Sequence, residues 1–480
     1  MRSLEILVSL ANLLVLFALA IPLPPAMRWM RYAAPVALLM AIMQVVVEGS
    51  RWQMVPAYTL TMIFFLIWLF GLILPNSLRF NRLIAGLGVG LGVLGLLISI
   101  MLPIVLPVFH FPNPTGPYGI GTTTYYWVDE SRPEIFTSTP DDHRELMVQV
   151  WYPAEKNQTN QRDSYVHDVN FSTTASKLGH LPPFFFDHLK YVMTNAQPSV
   201  AVADAGTRFP VVIYSPGRGG YRSVNTYQTE ELVSHGYIVV GIDHPYSVAD
   251  VVFPDGRHVA LDQRVVDFKL DGQDAPFKQS VDELLGQDAV FVLNQVTALD
   301  QSDPNGLLTG RMDLDHVGIF GASLGGITTA EACRMDARFR ACLGLDVAMP
   351  ADVIQSGLHQ PIMWIVRETS DRTDEGWRPL GTKEQNSSVR AVYDQLQGDG
   401  YIVSIPNMFH SDITDFSNFM IQPFARWTGL TGPGDWRRMH AAINAYSLAL
   451  FDTYLKGQPS PLLEGSSPQY PEVIFEARQH

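Results

Sequence analysis

Hydrophobic residues are distributed very unevenly along this chain. The first 110 positions hold four nearly unbroken apolar stretches, at 4–23, 29–47, 56–75 and 83–108. Each approaches or exceeds the ~20 residues that a helix needs to cross ~30 Å of hydrocarbon, so the pattern predicts four transmembrane helices. From 111 onward the pattern changes to short apolar runs separated by amphipathic stretches, the alternation of an α/β fold with a doubly wound, mostly parallel sheet. Predicted strands are ELMVQVWY (145–152), PVVIYS (210–215), YIVVGID (237–243), HVGIF (316–320), ACLGLD (341–346), PIMWIV (361–366) and YIVSIP (401–406). Several are continuously apolar, as strands buried on both faces are. Helices are predicted over 222–235, 279–299, 324–335, 385–398 and 436–456. The chain therefore divides into a membrane region, 1–110, and one α/β body, 111–480, with an insertion at roughly 157–205. That insertion contains LPPFFFDHL, whose three successive phenylalanines suit either a lid or lipid-contacting surface, or a loop packed onto the core.

Charge separates the same two parts. Up to His110 there is no lysine, and six arginines face two glutamates, about +4. The whole chain carries −14, so the body carries about −18. An acidic body argues against nucleic acid as a partner, because phosphate binding needs a basic surface. Arg28 and Arg31 lie in the first loop and Arg79 and Arg82 in the third, whereas Arg2 and Arg51 are accompanied by Glu5 and Glu48. The positive-inside rule then puts loops one and three in the cytoplasm and the body outside, as expected of an integral protein of a bacterial cytoplasmic membrane. Ala18-Leu19-Ala20 resembles a signal-peptide cleavage site, but cleavage would leave three spans and turn those arginines outward.

The fourth apolar stretch contains GLGVLG (90–95), formally the dinucleotide fingerprint. That motif needs a preceding strand and an aqueous pyrophosphate site, so glycines here are read as close helix packing. Cys333 and Cys342 are the only cysteines, too few for a disulfide framework or a zinc site.

GIFGASLGG (318–326) carries the chemistry. Gly321-x-Ser323-x-Gly325 follows a predicted strand and precedes a predicted helix, the context of a nucleophile elbow. A serine hydroxyl needs a base to take its proton, and His410, after the last predicted strand in IPNMFHSDITDF, stands in the right order. A carboxylate must fix the histidine tautomer. Asp346, Asp371 and Asp374 all fit by order. An oxyanion hole is expected from the amide of Leu324 and from one amide of the loop SPGRGG (215–220). The set predicts two-step acyl transfer to water, with no cofactor and no metal; there is no HExxH and no calcium-loop spacing. Transfer to another alcohol would use the same residues, and a sensor that has lost turnover is the alternative outside enzymes.

These motifs, in order, resemble the platelet-activating factor acetylhydrolase family of serine esterases, of the α/β-hydrolase superfamily. PTGPYGIGTTTYYWVD and VQVWYPAE at the start, YSPGRGG and SHGYIVVGIDH in the middle, and GASLGG, GLDVAMP, FHSDITDF and LFDTYLKG thereafter carry the likeness. The resemblance implies an α/β-hydrolase fold, Ser323 as nucleophile, His410 as base and Asp346 as acid. It also implies backbone oxyanion donors at Leu324 and Arg218. Its substrate would be a short or oxidised acyl ester of a phospholipid, as for a 1-alkyl-2-acetylglycerophosphocholine esterase; the alternative is a broad carboxylesterase, lipase or polyester hydrolase acting on soluble esters. The family pattern has histidine where this chain has Pro216 and Ala322, and its secreted members lack an N-terminal helical region.

Overall fold

The computed structural model describes the chain except for residues 22–23, 74–81, 140, 157, 168–169, 205, 267–274, 369–381 and 480. Arg79, Asp371 and Asp374 therefore lie outside the described residues. The chain forms two compact units: Met1–Phe109 with Phe184–Val192 and Phe419–Phe424, and the remainder.

In the first unit the apolar stretches form helices α1 (Ser3–Ala20), α2 (Ala33–Glu48), α3 (Val55–Ile73) and α4 (Arg82–Val105). By length and composition α1, the segment Trp52–Ile73 that contains α3, and α4 are long and apolar enough to cross a membrane. The second helix has only 16 residues because a 3-10 segment, Pro25–Tyr32, takes up the start of its apolar stretch. Large apolar side chains lie both inside the bundle, such as Leu16, Leu60 and Phe64, and on its surface. Small and polar side chains such as Ala34, Ala37, Ala57, Asn12, Gln44 and Thr61 are buried, while Leu10, Leu39, Val46 and Leu91 are exposed. An exposed apolar belt of this kind suits lipid. Asn12 and Thr61 satisfy each other, as buried polar groups must, through a 2.9 Å hydrogen bond. Gly92 and Gly95 serve close packing: a Cβ would lie 2.7 Å from Leu16 and 3.1 Å from Leu60 respectively. Gly86, Gly88 and Gly90 face open space, so glycine packing is confined to two of the five.

Glu5 pairs with Arg51 across the helices at 2.6 Å as well as with the nearby Arg2. The middle of the insertion belongs to this unit. Trp52 donates its indole N–H to the Phe185 carbonyl (3.0 Å), Tyr191 donates to the Ser50 carbonyl (2.7 Å), and Gln53 meets the buried His188 at 2.9 Å. The phenylalanine run is thus packed against apolar helices.

Among its described residues the second unit contains twelve strands: β1 (Gly119–Pro133), β2 (His143–Ala154), β3 (Gln197–Pro198), β4 (Phe209–Ser215), β5 (Ile238–Asp243), β6 (Asp250–Val252), β7 (His258–Ala260), β8 (Met312–Ala322), β9 (Phe339–Leu345), β10 (Ile362–Arg367), β11 (Gly400–Ile405) and β12 (Ile474–Arg478). β6 and β7 form a separate hairpin; the others form one sheet in the order β12-β11-β10-β9-β8-β4-β5-β2-β1-β3. From β11 to β5 neighbouring strands run parallel; β12, β2 and β1 pair antiparallel at the flanks. All seven predicted strands are present. β1 and β12 carry too many polar residues for the apolar-run criterion, since both have exposed positions. Cys333 and Cys342 form a disulfide between the helix Leu324–Met335 and β9. Cysteine count alone gave no reason to expect this bond.

Candidate active site

Parallel strands end on the same edge of a sheet, and the loops that leave that edge collect chemistry. Residue Ala322 pairs with Leu345 between β8 and β9, so Ser323 and Asp346 are the next residues on two adjacent strand ends. The Ser323 amide donates to the Leu345 carbonyl at 2.9 Å.

Ser323 has φ +56° and ψ −118°, a conformation that L residues adopt only under constraint. The glycines around it supply that constraint. A Cβ on Gly321 would lie 2.0 Å from the Gly325 carbonyl oxygen, and one on Gly325 would lie 1.9 Å from the Ser215 carbonyl oxygen. On Gly326 it would lie 2.7 Å from the Val347 side chain. The turn is therefore too tight for any other residue, and the serine stands half-exposed above it.

Asp346, also at positive φ, is fully buried. Its Oδ2 lies 2.5 Å from His410 Nδ1 and 2.5 Å from Arg367 Nε; its Oδ1 accepts from Gln385 Nε2 at 2.9 Å. Burial by itself would raise the carboxyl pKa. The His410 hydrogen bond and the charges of His410 and Arg367 outweigh it and hold Asp346 well below the usual carboxylate range. A carboxylate only accepts, so His410 carries its proton on Nδ1 and presents Nε2 as the basic nitrogen.

The loop that bears His410 is fixed by two further aspartates. Asp412 accepts from the amides of Phe409 (2.9 Å) and Gly432 (2.8 Å) and from Ser417 Oγ (2.9 Å). Asp415 accepts from the amides of Thr226 (2.8 Å) and Tyr227 (3.2 Å), tying the loop to the start of the helix Thr226–Ser234. The FHSDITDF motif thus encodes one histidine and its two struts.

Leu324 opens the helix Leu324–Met335, where first-turn amides have no partner within the helix and attract negative charge. The loop 215–220 passes beside the serine: a Cβ on Gly217 would lie 3.1 Å from that of Ser323. Within this loop the Gly219 amide donates to Ser247 O and the Gly220 amide to Gly217 O, both at 2.9 Å. The Arg218 guanidinium donates to the carbonyls of Val265 (3.0 Å) and Val266 (3.2 Å). The residues expected from the sequence therefore gather at one sheet edge, with Asp346 joining His410 to the strand beside Ser323. Arg367 and Gln385, the other partners of Asp346, had no signature in the sequence.

Over residues 105–266 the chain matches the family model described as platelet-activating factor acetylhydrolase, isoform II. It is 24% identical to the platelet-activating factor acetylhydrolase of Cavia porcellus over 363 residues, covering 72% of this chain and 78% of that protein. It is 25% identical to a probable 1-alkyl-2-acetylglycerophosphocholine esterase of Arthroderma benhamiae over 394 residues, 76% of this chain and 94% of that one. Among solved structures, a ferulic acid esterase from Streptomyces cinnamoneus superposes with a TM-score of 0.60 at 28% identity, covering 77% of this chain and 99% of the esterase. The mixed α/β sheet fits the α/β-hydrolase fold expected from the sequence.

Proposed function

From the chain's likeness to platelet-activating factor acetylhydrolases and other ester hydrolases, we propose that it belongs to that family and is a membrane-anchored serine hydrolase acting on short or oxidised acyl esters of phospholipids. The observation that carries this reading is the 2.5 Å contact of His410 with a buried, ionised Asp346 on the strand end next to Ser323. Ser323 Oγ attacks the ester carbonyl while His410 Nε2 takes its proton. The amides of Leu324 and Arg218 hold the oxyanion, His410 protonates the leaving alcohol, and water releases the acyl group by the same route.

For the membrane, four apolar helices with outward-facing leucines and valines support insertion, α2 being the short member. The arginines of loops one and three favour a body outside the cytoplasm. The Cys333–Cys342 disulfide favours the same side, since such bonds persist in oxidising compartments.

The likeness to a ferulic acid esterase favours a second reading, a carboxylesterase acting on soluble esters. The deciding assay compares a phosphatidylcholine bearing a short sn-2 chain with the p-nitrophenyl ester of the same acid, using Ser323→Ala as blank. Preference for the phospholipid supports the first reading. Turnover of the soluble ester alone supports the second. Equal activity of Ser323→Ala removes both.

A further inference from the structure

Ser215 and His244 both lie in motifs that the triad leaves unused, YSPGRGG and GIDH. Ser215 Oγ is 3.0 Å from His244 Nε2, and His244 Nδ1 is 2.8 Å from Asp288 Oδ2. This second Ser-His-Asp chain is sealed: Ser215 and Asp288 are 0% exposed and His244 1%. Behind it, Arg144 donates to Asp288 (2.8 Å) and Glu134 (2.7 Å), and Arg132 Nη1 lies 2.9 Å from Asp288 Oδ1. Burial opposes ionisation of Asp288, but the two arginines and the His244 hydrogen bond outweigh it. Asp288 is therefore an acceptor only, and His244 Nδ1 is the donor.

No ester reaches a serine at zero exposure, so this chain is not a second nucleophile. Its position gives it another role. Ser215 is the last residue of β4, pairs with Gly321 of the elbow, and abuts Gly325 through its carbonyl. The three residues after it form the loop that passes Ser323. His244 holds both ends of that loop: its side chain takes Ser215, and its carbonyl accepts from the Ser247 amide (3.0 Å), while Ser247 accepts from Gly219. The Ala249 amide adds a 3.0 Å bond to the Gly220 carbonyl. The loop is thereby referenced to β2 through Arg144 and to the long helix Ala275–Gln301 through Asp288.

We infer that Ser215, His244 and Asp288 are positioning residues that set the oxyanion amide of the 215–220 loop for acyl transfer. The inference rests on the reading of Ser323 as nucleophile. A donor misplaced by about 1 Å costs on the order of 100-fold in rate, and loss of one oxyanion donor costs about 100- to 1,000-fold.

The test uses the full chain in detergent and a p-nitrophenyl ester, with Ser323→Ala as blank. It also uses a trifluoromethyl ketone, which binds as an oxyanion adduct, beside the unreactive methyl ketone. Ser215→Ala is expected to lower kcat about 10- to 100-fold with KM within about threefold. Affinity for the trifluoromethyl ketone should fall in proportion while methyl ketone affinity holds. Ser215→Cys, of nearly the same size but a weak donor, should fall between. His244→Gln, whose amide can face Asp288 and whose oxygen can face Ser215, should recover most of the activity that His244→Ala loses. Wild-type kcat and ketone affinity in Ser215→Cys or Ser215→Ala, even with a lowered melting point, would overturn the inference alone and leave a structural strut. Activity independent of Ser323 would overturn the reading beneath it as well.

Discussion

Replacing Asp346 by asparagine tests how the site is wired. The side chain keeps its shape but loses its negative charge and the ability to accept on both terminal atoms. Oδ2 faces His410 Nδ1 and Arg367 Nε at 2.5 Å, and Oδ1 faces Gln385 Nε2 at 2.9 Å and the Arg367 amide at 3.4 Å. All four are donors, so either orientation of an asparagine amide sets N–H against N–H. The His410 contact is relieved only if the NH2 turns toward it and the histidine proton moves to Nε2, which still leaves the NH2 against Arg367 Nε. His410 then offers a donor where it must accept the proton of Ser323. With the tautomer wrong and the imidazolium unsupported, kcat should fall about 10⁴-fold, or ~5.5 kcal/mol of barrier. Arg367, only 3% exposed, would lose its carboxylate partner, and the fold should weaken by about 3–5 kcal/mol. Steady-state hydrolysis of a p-nitrophenyl ester, with thermal unfolding of the same samples, measures both. Asp371→Asn and Asp374→Asn serve as controls and should stay within twofold of wild type. If Asp346→Asn kept a tenth of the activity, or either control lost it, the wiring proposed for Asp346 would be wrong.

Gly325→Ala should lower kcat at least ~100-fold, because its Cβ would lie 1.9 Å from a central-strand carbonyl and must displace Ser323 or Leu324; steady-state kinetics on the soluble ester would show it. His440 is buried, its pKa pushed down to about 4 mainly by that burial, and it stacks on Tyr227. A lowered histidine pKa gives stability that is complete above ~6.5 and lost as pH falls toward 4, here about 3 kcal/mol. His440→Phe should therefore flatten the melting-point profile between pH 6.5 and 4, and an unchanged slope would contradict the assignment. Cys333→Ser with Cys342→Ser should cost about 2.5 kcal/mol, from closure of a short loop. Reductant should bring the wild-type melting point down to that of the double variant and leave the variant where it was.

The sequence alone determined whatever is encoded by local pattern. Helices in the first 110 residues and buried strands in the body announce themselves because each must be apolar over a length set by hydrocarbon thickness or by sheet burial. The elbow around Ser323 is legible because its geometry excludes side chains, leaving glycines at fixed offsets. His410 is legible by order. Spacing left open which aspartate meets it; in the fold Leu345 pairs with Ala322, so Asp346 emerges beside Ser323 and contacts His410. The short α2, the Glu5–Arg51 pair across helices and the lodging of Phe184–Val192 among apolar helices are also tertiary facts. So is the sealed chain from Ser215 to Asp288, which joins residues 73 positions apart through a histidine on a third element. Hydrogen bonds between distant residues leave no periodicity in a sequence; folding alone makes them neighbours.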